Sequence, residues 1–271
     1  MVNMLVIPDE IRNNFPDDHL FFNLMAISGK VFRDVRGRKT MQIVIEGKSY
    51  FIKQHFGVGW REIVKNYLSL KKPILGAMTE VGAIEKLTQL GISTTPLVGY
   101  GVQGCNPASQ KSFIITEDLG DIVSLEDICA DWKSNPPEAA FKSRLMIALA
   151  ELAAKLHSAG LSHRDFYLCH FVLKKTELAK GKLDLILIDL HRVLLNQSPH
   201  GNSVMKDISA LVFSTMDFGF TTEDWALFKR HYLQQSEDFW ADVSIRANKL
   251  YAKFHSDKFQ KKLTVERLGV D

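Results

Sequence analysis

Cysteine is scarce in this chain: Cys105, Cys129 and Cys169 are odd in number, far apart and without a C-x-x-C pair. That spacing indicates neither a disulfide framework nor a zinc site, and a reducing compartment is the expectation. No apolar run approaches the ~20 residues that a membrane span needs. The first thirty residues carry acids and polar groups in place of a signal sequence's apolar stretch. A cytoplasmic protein with at most a peripheral hold on a membrane is expected. A strong excess of one charge is missing as well. The net charge is +3 and the pI is near 8.6, too mild for a nucleic-acid binder, so any anionic partner must be met by a local patch. Internal repeats and low-complexity tracts are absent, and the nearest thing to a linker is Asp131 to Pro137.

What the chain has is length for two domains at 271 residues, 46% hydrophobic content, and one stretch that organises the rest. Leu161 to Phe171 reads LSHRDFYLCHF, with His163, Arg164 and Asp165 in succession. H-R-D opens the catalytic loop of protein kinases, in which the Asp takes the proton of the attacking hydroxyl and an Asn five residues on ligates metal. Here the fifth residue is His170. A tripeptide is a weak signal, and its neighbours decide. Leu145, Leu149, Leu152 and Leu156 recur at helical spacing, with Gly160 placed as a left-handed C-cap. Downstream, the apolar run Leu183 to Ile188 predicts a short buried strand ending at Asp189, some two dozen residues past Asp165. Kinase-like folds place the metal-binding Asp of D-F-G there. The tripeptide here is Asp189-Leu190-His191, so the carboxylate stands without the Phe and Gly.

Taken in order, residues 1 to 26 are mixed apolar and acidic, with Pro8 and Pro16 breaking any long helix, and their role is unreadable. Gly29, Lys30 and the residues to Arg33, then Arg36 to Lys39 and Thr40 to Ile45, predict two strands joined by a basic glycine turn. Backbone N–H groups at such a turn can cover ATP phosphates. There is no G-x-G-x-x-G, so an ordinary hairpin and a phosphate lid both fit. Ser49 to Lys53 predicts a third strand, matching the kinase V-A-I-K whose Lys holds the α- and β-phosphates. Its partner should be an acid on the helix predicted over Ala77 to Leu90, with Glu80 the choice and Glu85 the rival. Between them lies an extra amphipathic helix over 60–72, with Trp60, Ile63, Val64, Tyr67 and Leu68 on one face and Arg61, Lys65, Lys71 and Lys72 as cations. Packing on its own domain and docking on a membrane or acceptor both fit that pattern.

Ser112 to Thr116 predicts a strand delivering Glu117-Asp118-Leu119-Gly120, followed by a capping box in Ser124 to Asp127. By position this is a kinase hinge, where the backbone at Glu117 and Leu119 would bond adenine. Beyond Asp189 there is no activation segment and no A-P-E. Lys206 to Ser209 is expected to begin a helix, as small-molecule kinases are built, and Asp207 can anchor the loop backbone or serve merely as an acid at a helix start. Arg246, Lys249, Lys253, Lys258 and Lys262 are expected to form a solvated basic face.

These residues resemble the lipopolysaccharide core heptose(I) kinases, the WaaP/RfaP family, from Gly29 to about Tyr232. His163 to Phe171 fits that family's H-R-D-x-Y-x-C-H-F, and Tyr167, Cys169 and His170 are not general to kinases. Further family-like stretches are Phe51 to Gln54, Gly76 to Gly91, and Ile115 to Leu119. The resemblance implies an α+β, two-lobed protein-kinase-like fold, with a small antiparallel N-lobe over 1–117 and a mainly helical C-lobe over 118–271. It implies ATP and Mg2+ as cofactors. The implied acceptor is a heptose on Kdo-lipid A, met peripherally at the cytoplasmic face of the inner membrane, with no stable protein partner indicated. On this reading Asp165 is the base, Lys53 with Glu80 grips the phosphates, and Asp189 with His170 holds the metal. Histidine is an unusual ligand for an ion that prefers oxygen, so His170 either ligates or bonds Asp165 or a metal-bound water. A kinase for another small hydroxyl, such as a Kdo sugar or an aminoglycoside, shares the general motifs. A pseudokinase fits the loss of Asn and D-F-G, and the retention of Lys53, Asp165 and Asp189 speaks against it.

Overall fold

The structure, a computed structural model, describes residues 2–16, 19–35, 37–68 and 76–268. Arg36, Lys71 and Lys72 of the sequence reading lie outside the described residues. The chain forms two compact units, Met1–Gly120 with Asp189–Val193, and Asp121–Ile188 with Leu194–Asp271. Asp189 was expected with the helical C-terminal half. It groups with the first unit because the 3-10 turn that follows it, Leu190–Arg192, packs on a helix of that unit.

The first unit runs β1 (Val2–Val6), α1 (Asp9–Arg12), α2 (Leu20–Ala26), β2 (Lys30–Val35), β3 (Arg38–Ile45), β4 (Lys48–His55), α3 (Gly59–Leu68), α4 (Met78–Gln89), β5 (Leu97–Gln103) and β6 (Lys111–Glu117). Its antiparallel sheet has the order β1-β5-β6-β4-β3-β2. Alternation along the strands explains its two faces. Met41, Ile43 and Ile45 of β3 and Tyr50 and Ile52 of β4 point one way, into a core closed by Ile11, Leu20, Phe21 and Leu24. Helices α1 and α2 of the unreadable N-terminal segment therefore form the lid of this core, and Gln54 Nε2 ties α2 down by donating to Leu24 O at 2.8 Å. Each such side chain contributes ~1.5–3 kcal/mol on burial. Arg38, Thr40, Gln42, Phe51, Lys53 and His55 alternate onto the opposite face, where the pairings Arg38↔His55 and Thr40↔Lys53 set them side by side. Helix α4 stops where Gly91 takes a left-handed φ of 62° and Ile92 N–H returns to Leu87 O at 2.9 Å.

The second unit runs β7 (Ile122–Ser124), α5 (Leu125–Cys129), α6 (Ala139–Ser158), β8 (Phe171–Lys174), α7 (Lys175–Leu178), β9 (Ile186–Leu187), α8 (Asn202–Thr215), α9 (Thr222–His231), α10 (Glu237–Phe254) and α11 (Asp257–Leu268). Helix α6 buries Leu145, Leu149, Ala153 and Leu156, and it ends at Gly160, φ 74°. Two details differ from expectation. The strand predicted over Leu183 to Ile188 shrinks to Ile186–Leu187, because its partner β8 offers pairing only to those two residues and Leu185 N–H already turns back to Leu183 O. Helix α8 starts at Asn202, so Lys206 and Asp207 lie inside it.

Candidate active site

The loop after α6 is held from beneath by one carboxylate. Asp207, buried in α8, accepts the N–H of His163 on Oδ2 at 2.6 Å and the N–H of Arg164 on Oδ1 at 2.8 Å. Arg164 has a φ of 71°, a left-handed conformation that costs a non-glycine residue of order 1 kcal/mol and persists only when its surroundings enforce it. Those two hydrogen bonds are the enforcement. An acid at a helix start would need no such purpose; an acid inside α8 with these donors is an anchor. Behind it, His157 is fully buried, with Nε2 at 3.3 Å from Asp207 Oδ2 and Nδ1 at 2.7 Å from the Tyr232 hydroxyl. Burial pushes the Tyr232 phenol upward, with Asp207 adding to the shift. A carboxylate only accepts, so Nε2–H donates to Asp207, and Nδ1 of a neutral His157 accepts the Tyr232 hydroxyl. His163 is buried, and its Nε2–H donates to Ile188 O at 3.0 Å. Burial lowers its imidazole below the ordinary value, against the opposing pull of Asp207.

The Asp165 carbonyl accepts the N–H of Tyr167 at 2.9 Å and His170 Nδ1 at 2.6 Å. A carbonyl only accepts, so Nδ1 carries the hydrogen and Nε2 of a neutral His170 holds the lone pair. The signature residues Tyr167 and Cys169 line a cavity of about 430 Å³, among Phe213, Phe218 and Phe254.

In the first unit, Lys53 Nζ donates to Glu80 Oε1 at 2.5 Å. Glu80 is buried and Glu85 is exposed, so the rival acid is not the partner. Asp189 takes φ 64°, ψ 54° and accepts His191 Nδ1 on Oδ1 at 2.5 Å. His191 was missed by sequence reasoning; its only signal was standing where D-F-G has Gly. Gly29 is glycine for packing, since a Cβ there would meet Gln42 O at 2.3 Å. Lys30 lies over the Phe32 ring at 5.1 Å. At the predicted hinge, the N–H groups of Glu117 and Asp118 bond Pro96 O and Ser49 O, and Leu119 N–H bonds no backbone carbonyl among the described residues. Asp118, also missed, accepts from Ser49 Oγ at 2.7 Å, Gln42 Nε2 at 2.7 Å and Gly120 N–H at 2.9 Å. Its burial alone would raise the carboxyl, and these donors outweigh that and hold it below the ordinary value.

The sequence model of the lipopolysaccharide kinase (Kdo/WaaP) family matches residues 23–232. The chain belongs to this family. A Pseudomonas aeruginosa protein named lipopolysaccharide core heptose(I) kinase WaaP is 37% identical over 258 residues, 92% of this chain and 96% of its own length. An Escherichia coli protein of the same name is 41% identical over 214 residues, 78% of this chain and 81% of its own. A solved structure described as WaaP in complex with acyl carrier protein matches with a TM-score of 0.78 at 33% identity, covering 92% of this chain and 99% of the other. The kinase-like α+β fold read from the sequence is borne out, as is the reading as a kinase. For this Kdo/WaaP kinase, no helix among the described residues is long and apolar enough to cross a membrane.

Proposed function

We propose that this kinase transfers the terminal phosphoryl group of ATP to a hydroxyl of the first heptose in the lipopolysaccharide inner core. The observation that carries the reading is the H-R-D loop pinned to Asp207, which orients Asp165 in a segment that also bears the family's Tyr167, Cys169 and His170. Asp165 would accept the proton of the heptose hydroxyl as its oxygen bonds to phosphorus and the bond to the β-phosphate oxygen breaks, releasing ADP. Lys53, fixed by Glu80, would hold the phosphates. Leu119 N–H, beside Glu117, is suited to adenine.

Magnesium fits the donor chemistry in a limited way. Asp189 offers carboxylate oxygen, and no cluster of three metal-ligating side chains occurs among the described residues. Magnesium is usually held by one or two carboxylates together with phosphate and water oxygens. When bound, it would neutralise charge on the transferred group. Asp189 would hold it directly, and His170 would use its Nε2 lone pair on the ion or on an attendant water.

A peripheral place at the cytoplasmic face of the inner membrane is supported by α3, where Trp60 and Val64 are 58% and 52% exposed beside the exposed Arg61 and Lys65. Trp60→Ser with Arg61→Glu should weaken flotation with anionic vesicles; unchanged flotation would remove α3 from this role. The solved relative's complex also makes an acyl carrier protein a candidate partner, to be tested by co-purification from a mixture of the two pure proteins. The decisive experiment offers labelled ATP with dephosphorylated core lipopolysaccharide, free Kdo and an aminoglycoside. Label in heptose alone is expected. Label in another acceptor, or ATP binding without turnover, would overturn the heptose assignment.

A further inference from the structure

The turn joining β2 to β3 is too short to cradle phosphate with its backbone. Val35 pairs with Arg38, so only residues 36 and 37 lie between the strands. Few N–H groups can converge on a polyphosphate from such a turn, and the positive charge must come from a side chain.

Arg38 has the right placement. It sits on the sheet face that carries Lys53, directly across from His55 in the β3–β4 pairing. Its side chain is within electrostatic reach of Glu80 and Asp189, the partner of Lys53 and the carboxylate assigned to the metal. Yet among the described residues the half-buried guanidinium has neither a hydrogen bond nor an ion pair. A cation removed from water and left without an oxygen partner is costly to keep unless a ligand completes it. His55 reports the same local field. Its buried Nε2 has no partner among the described residues, and burial, followed by Arg38, Lys53 and His191, disfavours a further positive charge there.

We propose that Arg38 is a second phosphate-binding residue of the nucleotide site, whose guanidinium fork takes the β- and γ-phosphate oxygens in place of a glycine-rich loop. The inference rests on the ATP reading above and deepens it. A guanidinium presents parallel donors that match phosphate oxygens, whereas an ammonium presents a point charge, so arginine and lysine are not equivalent here. The contact is with the outer phosphates, because Arg38 adjoins the Lys53–Glu80 pair and Asp189 and lies away from the turn at Glu117.

The test is calorimetric binding of ATP, AMP and inorganic tripolyphosphate to the full chain, wild type and variants, without turnover. Arg38→Gln should weaken ATP and tripolyphosphate by ~10-fold or more, the loss expected of a charge-assisted hydrogen bond, and leave AMP within about twofold. Arg38→Lys should fall between the two. Arg33→Gln, an exposed neighbour, should bind like wild type. If Arg38→Gln does not fold, the ratio of tripolyphosphate to AMP affinity in Arg38→Lys carries the same comparison. Equal losses for ATP and AMP, no loss for ATP, or an equal loss in Arg33→Gln would overturn the proposal. Wild type that binds neither ATP nor tripolyphosphate would sink the nucleotide reading itself, an outcome distinct from a wild type that binds and an Arg38 variant that binds as well.

Discussion

Asp207 accepts the backbone N–H of His163 at 2.6 Å across 44 positions of chain. The same carboxylate takes the N–H of Arg164, so one side chain of α8 determines the path of the backbone immediately before Asp165. On the proposed mechanism, stability and chemistry are divided between two aspartates. Asp207→Ala would leave two N–H groups unpaired in the interior and should cost ~2–4 kcal/mol in denaturant unfolding, with activity lost alongside. Asp165→Asn should unfold at the wild-type midpoint while kcat falls by ~10² or more. If Asp165→Asn turns over within a few-fold of wild type, Asp165 is not the base.

Lys53 and Glu80 should behave as one unit in activity. Lys53→Ala alone would leave the buried Glu80 carboxylate without its cation, and Glu80→Ala alone would release Lys53 from its place. The double variant should therefore lose far less than the two single losses combined. Rates of ATP consumption in the three variants give the comparison, and additive losses would mean that the pair does not act together in the site.

His170 can be separated into its two nitrogens. Asparagine supplies an amide oxygen where Nε2 is proposed to meet the metal or its water, so His170→Asn should keep more magnesium-dependent activity than His170→Ala. The alanine variant should need a higher magnesium concentration for half its own maximal rate. Identical rates and identical magnesium dependence in both variants would confine His170 to bonding the Asp165 carbonyl through Nδ1.

His55 should make stability sensitive to mild acid. Burial, then the charges of Arg38, Lys53 and His191, push its imidazole from 6.5 down to about 4. Below pH 6.5 the unfolded chain takes up a proton that the folded chain refuses, so stability falls as the pH drops from about 6.5 to about 4 and is fully present above that window. One pKa unit corresponds to about 1.36 kcal/mol, so the shift amounts to roughly 3 kcal/mol. Urea unfolding at a series of pH values should show a shallower slope in His55→Gln than in wild type. Parallel slopes would place the acid sensitivity elsewhere.

The elements that were legible in the sequence are those whose cause is local. Helix α6 declared itself through leucines at helical spacing and Gly160, and α4 through Gly91 after Leu90, because a C-cap depends on one residue's freedom to adopt positive φ. The H-R-D loop and Lys53 on β4 were legible because the proposed chemistry calls for those residue types. The hairpin at Gly37 was visible too, but its two-residue length, which removes the room for a phosphate-cradling loop, is a matter of strand pairing.

Tertiary structure alone decided which acid meets Lys53. Glu80 and Glu85 both lie on α4, and only the packing of that helix buries the first and exposes the second. It also decided that α1 and α2 cap a sheet face, that Asp207 lies inside α8, and that His157 and Tyr232 stand behind it. None of these has a spacing that a short window can reveal, since the partners are separated by 27 to 75 positions. A buried carboxylate or imidazole is tolerable only where its donors converge. The sequence by itself determined the residue types proposed for catalysis and the elements with local signals, while the convergence of those donors came from the long-range packing of strands and helices.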